Sequence, residues 1–265
     1  ADLIGLGMPG HHTYVNHIEE AHALLDAARS GLELAHAPKD APIGFAGYSQ
    51  GGGASLSAAE YAERYAPDLN VAGTYAGAPP TDLPETMRSI DGSAIAHVLG
   101  YAINGFSERS PEFRDAVLAE LNPRGKDFLR SAATSCTGDS VLMWGFTNTR
   151  MLTRTGESLS GIVERKPVVK ETLERQNLGK AVPNAPVMMA SSPSDDLISH
   201  DQVRRTAGAY CSMGGTIDFV AAPGTATIPR TGIDHAVPLH LEMPVGLQYL
   251  FDRFEGKPAP TNCTA

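Results

Sequence analysis

The feature that most constrains this chain is the segment Ile43 to Ser55, in which Gly47-Tyr48-Ser49-Gln50-Gly51 spells G-x-S-x-G and two further glycines, Gly52 and Gly53, follow. Pro42 to Ala46 is short and apolar and ends at a glycine, as a buried parallel strand does. Gly52 to Tyr65 carries Ala54, Leu56, Ala58, Ala59, Tyr61 and Ala62, the pattern of a small-residue helix. A serine between a strand and a helix must turn so sharply that its backbone is strained, and the flanking glycines remove Cβ atoms that would collide. The context predicts a nucleophile elbow with the Ser49 hydroxyl exposed at a strand tip, rather than a serine that merely caps a helix.

Around this elbow the chain reads as alternating strands and helices, interrupted once. A loop holding Gly5, Gly7 and Gly10 leads into a helix from about Tyr14 to Ala35, whose apolar stripe includes Ile18, Ala21, Leu24, Leu25, Ala28 and Leu32. Those three glycines match G-x-G-x-x-G. A dinucleotide site is rejected, because Pro9 interrupts the loop and no strand ending in an acidic residue follows about 20 residues on. Leu69 to Gly77 is the next strand. From Thr81 to Asn184 no strong strand is visible, only helical patches at Met87 to Phe106, Pro111 to Leu121, Gly125 to Thr134 and Leu173 to Leu178. Strand and helix alternation then resumes with a strand over Ala185 to Ser191, a helix over Gln202 to Met213 and a strand over Thr216 to Ala221. A long loop from Pro223 to Asp234, a helix from Val237 to Phe254 and an irregular tail from Glu255 complete the chain. This pattern predicts an α/β core over 1–80 and 185–265, with a helical cap inserted over 81–184.

A serine hydroxyl is a weak nucleophile at neutral pH and needs a neutral imidazole in hydrogen-bond reach, with a carboxylate to fix the imidazole tautomer. The loop after the strand at Val187 to Ala190 holds Asp195 and Asp196, and the spacing allows either. His235 follows the last strand by a loop and precedes the final helix, so it can reach Ser49. His240 falls inside that helix, and His97 and His200 lack a strand end beside them. Gln50 N–H, directly after the serine, is one candidate oxyanion donor.

Composition excludes other classes. A formal net charge of -9 without a Lys/Arg cluster argues against a nucleic-acid partner. The longest apolar runs are of strand length and broken by Gly or Pro, so no transmembrane span is expected. The three cysteines, Cys136, Cys211 and Cys263, form no C-x-x-C pair. His11, His12, His17 and His22 offer no i, i+4 pair for a metal and read as surface or loop residues.

The glycine loop, Leu25-Asp26-Ala27-Ala28-Arg29, the elbow, the helical insertion, Asp195-Asp196-Leu197-Ile198 and Asp234-His235 together resemble the secretory lipases of the LIP type, within the α/β-hydrolases. The resemblance spans nearly the whole chain, with Ser199 standing where the family often has proline. It implies an α/β-hydrolase fold, a mostly parallel sheet with helices on both faces, and a helical lid. It implies a secreted, disulfide-tolerant, metal-independent carboxylic ester hydrolase acting on lipids or other acyl esters, with no cofactor. Asp195 rather than Asp196 then becomes the orienting acid, beside Ser49 as nucleophile and His235 as base. The family carries a substantial amino-terminal portion ahead of the glycine loop, with the first strands and the second oxyanion donor. A companion amino-terminal polypeptide of the same precursor is therefore expected to complete the sheet. On the same reading Cys211 can pair with Cys263 and Cys136 with the companion. An acyltransferase or peptidase using the same three residues, and a binding module or fragment inactive by itself, are the alternative functions.

Overall fold

The computed structural model describes residues 1–224 and 227–263; Thr225 and Ala226 of the expected Pro223–Asp234 loop and the last two residues of the tail lie outside the described residues. The chain opens with the glycine loop and enters α1 (His17–Leu34), where the Asn16 side chain accepts from Glu19 N–H and Glu19 and Glu20 occupy the first turn. The elbow follows as β1 (Ile43–Tyr48), Ser49 and α2 (Gln50–Tyr65), and then β2 (Val71–Gly77). A helical block comes next: α3 (Leu83–Ile90), α4 (Val98–Arg109), α5 (Pro111–Leu118), α6 (Pro123–Ala132), α7 (Thr137–Trp144), α8 (Leu159–Arg165) and α9 (Pro167–Glu174). The chain finishes with β3 (Val187–Ser191), α10 (His200–Ser212), β4 (Ile217–Ala221) and α11 (Ile233–Phe254).

Among the described residues the strands form one fully parallel sheet in the order β1-β2-β3-β4. Leu25 of α1 and Ala58 and Ala62 of α2 bury Phe45. Leu56 and Ala59 of α2, with Val203, Ala207 and Tyr210 of α10, cover Val187, Met189 and Ile217 on the same face. Tyr249 and Leu250 of α11 pack on Tyr75, Met188 and Ala190 from the opposite face. Helices on both faces of a parallel sheet put the strand ends, and the loops beyond them, at one rim. The helical block has its own apolar core, built around Leu99, Phe106, Phe113, Phe128, Leu152 and Ile162, which Val15 and Tyr14 join from outside the block.

The two sheet edges differ. Along β4, Asn262 N–H donates to Ile217 O, and the Asn262 carboxamide accepts from Phe219 N–H and donates to Phe219 O. The Cys211–Cys263 disulfide fastens the same tail to α10. The tail is thus ordered along the sheet rather than simply irregular. Along β1, Ile43 N–H donates to Asn70 O, just ahead of β2, and Ser49 N–H donates to Gly77 O at its end, so strand alternation turns the peptide groups of Gly44, Ala46 and Tyr48 outward. Ala46, although in the middle of β1, is exposed. On the adjoining α11, Leu241, Val245, Leu247, Phe251 and Phe254 are also exposed.

Several expectations change. The single helical patch from Met87 to Phe106 is two helices, because Asp91 and Gly92, the latter at φ +76°, end α3, and the Asp91 carboxylate instead receives Thr149 N–H and Oγ1–H. The separate α8 and α9 arise at Lys166-Pro167, where proline pre-sets the first turn of a new helix. His17 is buried, with Nδ1 on Gln176 O at 2.7 Å, and His22 stacks on Tyr65 at 4.0 Å, so neither is a loop histidine.

Candidate active site

Ser49 sits at φ 55° and ψ -121°, a conformation that costs an L-residue on the order of 1–3 kcal/mol. It is held from both sides: Ser49 N–H donates to Gly77 O at 2.8 Å, extending the β1–β2 ladder, and Ser49 O accepts from Gly53 N–H at 2.9 Å. A Cβ on Gly47 would stand 2.0 Å from Gly51 O, and one on Gly52 would stand 2.3 Å from Gly77 O, so both positions demand glycine. A Cβ on Gly51 meets nothing within 4 Å. The close approach that the second motif glycine was expected to relieve therefore falls on Gly52.

His235 Nε2 lies 2.8 Å from Ser49 Oγ, and His235 Nδ1 lies 2.8 Å from Asp195 Oδ2. With Nδ1 carrying the proton, Nε2 is the free acceptor for the serine hydroxyl. Asp195 Oδ1 accepts from Leu197 N–H at 2.9 Å and Ile198 N–H at 2.8 Å, and its side chain is fully buried. Asp196, the other residue that spacing allowed, points elsewhere. Its Oδ2 accepts from Gly232 N–H at 2.8 Å, which ties the loop after β3 to the start of α11. His235 is within the first turn of α11, not in a loop ahead of it; Gly232, at φ +79°, precedes the helix, and Pro238 is accommodated inside it. His240 is exposed and His97 is buried in the helical block, while His200 is 3.0 Å from Ser191 Oγ.

Two residues at this site escaped the motif reading. Tyr48 Oη donates to His235 O at 2.7 Å, and its ring centroid is 5.3 Å from the imidazole. The x of the G-x-S-x-G pattern gave no sign of this. Glu242, two turns along α11, is buried with one carboxylate oxygen unpartnered and the other 3.4 Å from Tyr75 Oη. Burial lifts its pKa to about 7, and the nearby Asp195 charge adds to the rise.

Gln50 N–H is the first amide of α2, where no carbonyl four residues back is available, so it is free to face a developing negative charge. Ser49, Gln50 and His235 open onto a narrow apolar cavity that runs into the helical block between α3 and α4, walled by Leu83, Met87, Ile90, Leu99, Ala102 and Phe106. Phe113 and Phe128 serve only as core of the block, Trp144 packs edge-on against Phe128 at 5.3 Å, and Phe146 is exposed. Among the described residues no group of His, Cys, Asp and Glu is arranged to hold a metal ion.

A serine on a strained strand-to-helix turn, over a parallel sheet with helices on both faces, defines the α/β-hydrolase fold. The chain belongs to the secretory lipase (LIP) family, whose match covers residues 2–262. It is 32% identical to a probable inactive lipase of Mycobacterium tuberculosis, over 89% of this chain and 49% of that protein. It is 29% identical to a secreted triacylglycerol lipase, LIP5, of Malassezia globosa, over 91% of this chain and 50% of the relative. The closed-state crystal structure of Candida antarctica lipase A superposes with a TM-score of 0.79 at 21% identity, covering 95% of this chain and 58% of that one. The chain thus spans about half the length of the curated relatives it matches.

Proposed function

We propose that the protein is a carboxylic ester hydrolase that uses Ser49, His235 and Asp195 through an acyl-enzyme, on esters whose acyl part is apolar. The observation that carries this reading is the unbroken hydrogen-bonded series from Asp195 Oδ2 through His235 to Ser49 Oγ at the mouth of an apolar cavity. Ser49 Oγ attacks the ester carbonyl carbon while its proton passes to His235 Nε2. Asp195 holds Nδ1–H and stabilises the imidazolium. Gln50 N–H receives the carbonyl oxygen as it becomes negative, and the proton on Nε2 then leaves with the alcohol. Water, deprotonated by His235, releases the acid in the second half. Membership of a family of secreted lipases supports an extracellular site of action. Hydrolysis of p-nitrophenyl butyrate that is abolished by Ser49→Ala is the expected result; equal turnover by both proteins refutes the assignment.

The same reading includes a partner. We propose that a companion amino-terminal segment of the same precursor pairs with the outward peptide groups of Gly44, Ala46 and Tyr48, covers the apolar residues exposed on α11, and supplies a second oxyanion donor. An unpaired strand beside an apolar helix face is a surface that folded chains ordinarily cover. The intact mass of the native protein tests this: an active particle of only 28.0 kDa contradicts it.

A further inference from the structure

We propose that Glu20 and His12 are positioning residues that clamp the Gln50 side chain, and through it hold the Gln50 N–H in place as an oxyanion donor. The inference rests on the hydrolase reading above and adds two residues that the G-x-S-x-G motif does not contain. The first turn of α2 is Gln50-Gly51-Gly52-Gly53. Three consecutive glycines give that turn the greatest backbone freedom available to a helix, and Gln50 has the only side chain able to tether it. That tether is made twice over. Gln50 Nε2 lies 2.9 Å from Glu20 Oε1 and 2.8 Å from His12 Nε2.

The hydrogens fit one assignment. His12 Nδ1 is 3.0 Å from Ile4 O, an acceptor only, so the imidazole proton is on Nδ1 and its Nε2 lone pair accepts from the carboxamide. The two carboxamide hydrogens then go one to Glu20 and one to His12. Glu20 Oε1 also accepts from Val15 N–H at 3.0 Å, where Val15, a β-branched residue, sits at φ +54°. Glu20 is 1% exposed and its other oxygen has no partner. Burial lifts the pKa of this carboxyl to about 8, so it costs folding free energy once it ionises. The residues it joins are Val15 and Gln50, which line the same cavity as Ser49.

The test compares Glu20→Ala, His12→Ala, Gln50→Met and Glu20→Gln in the native protein, companion segment included, with kcat and KM for p-nitrophenyl butyrate and with hydrogen exchange of the Gln50 side-chain amide by ¹⁵N NMR. Loss of the clamp is expected to lower kcat roughly 10- to 100-fold with KM within about twofold, somewhat less than outright removal of an oxyanion donor. Glu20→Gln, whose carboxamide oxygen accepts the same two N–H groups, is expected to restore kcat to within about threefold of wild type. The Gln50 amide hydrogens are expected to be protected in wild type and Glu20→Gln, and exposed in Glu20→Ala. Unchanged kcat in both alanine variants, a change in KM alone, or a freely exchanging Gln50 amide in wild type overturns the proposal. A protected amide in a wild-type protein that hydrolyses no ester instead sinks the hydrolase reading.

Discussion

Replacing Glu20 by glutamine should make the protein more stable at alkaline pH. The side chain is 1% exposed and its pKa rises from 4.5 to about 8 on folding, because burial penalises the carboxylate more than the Gln50 and Val15 hydrogen bonds favour it. Between those two pH values the folded protein holds a proton that the unfolded chain releases, so stability falls as pH rises through the window. The loss is about 1.4 kcal/mol per pH unit and on the order of 5 kcal/mol across the whole interval. Glutamine keeps the accepting oxygen and the size but never ionises. The variant should therefore match wild type near pH 5 and exceed it by several kcal/mol at pH 9, a melting-temperature gain of roughly 10 °C for a chain of this length. Thermal unfolding of both proteins at the two pH values, followed by circular dichroism, measures the difference directly, and contributions from other ionising groups cancel in it. Parallel pH profiles for the two proteins, or a variant less stable at pH 9, would refute the reasoning.

Other perturbations separate residues that look alike in the sequence. Asp195→Asn should reduce kcat about 10⁴-fold by reversing the imidazole tautomer, whereas Asp196→Asn, at a side chain that accepts from Gly232 N–H rather than from the imidazole, should cost less than about tenfold; steady-state kinetics distinguishes them. Gly51→Ala, with open space at its Cβ, should raise stability by up to about 1 kcal/mol, while Gly47→Ala and Gly52→Ala, each facing a carbonyl oxygen closer than 2.5 Å, should lose several kcal/mol in denaturant titrations. Removing the disulfide with Cys211→Ser, which opens a loop of 52 residues, should cost about 4 kcal/mol on the chain-entropy scale. Ala102→Phe should obstruct the cavity and lower turnover of p-nitrophenyl palmitate relative to the acetate by at least about tenfold.

The α/β order of the chain and the placing of Ser49 and His235 were legible because each depends on local features. Glycines flank a serine between an apolar strand and a small-residue helix, and a histidine stands ahead of a long amphipathic pattern. The choice between Asp195 and Asp196 was not local. It turns on which carboxylate the Leu197 and Ile198 amides capture, and adjacent residues of one type give no pattern to read. The role of Gly52 was hidden for a related reason, since the clash it avoids is with Gly77 on the neighbouring strand. His12 and His17 read as polar loop residues because single polar side chains carry no periodicity. Only the folded chain brings Gln50 to one and Gln176 to the other. In the helical block, breaks such as Asp91-Gly92 are set by Thr149, more than fifty residues away, which an apolar stripe over Met87 to Phe106 cannot reveal.

The account depends above all on Ser49 being activated by His235. A fluorophosphonate probe reacts with a serine whose hydroxyl proton can be taken by a neighbouring base and ignores an ordinary one. Mass spectrometry of the treated protein should find a single adduct, on the peptide containing Ser49, and none after His235→Ala. Absence of any adduct in the native protein, or equal labelling with and without His235, would contradict the account.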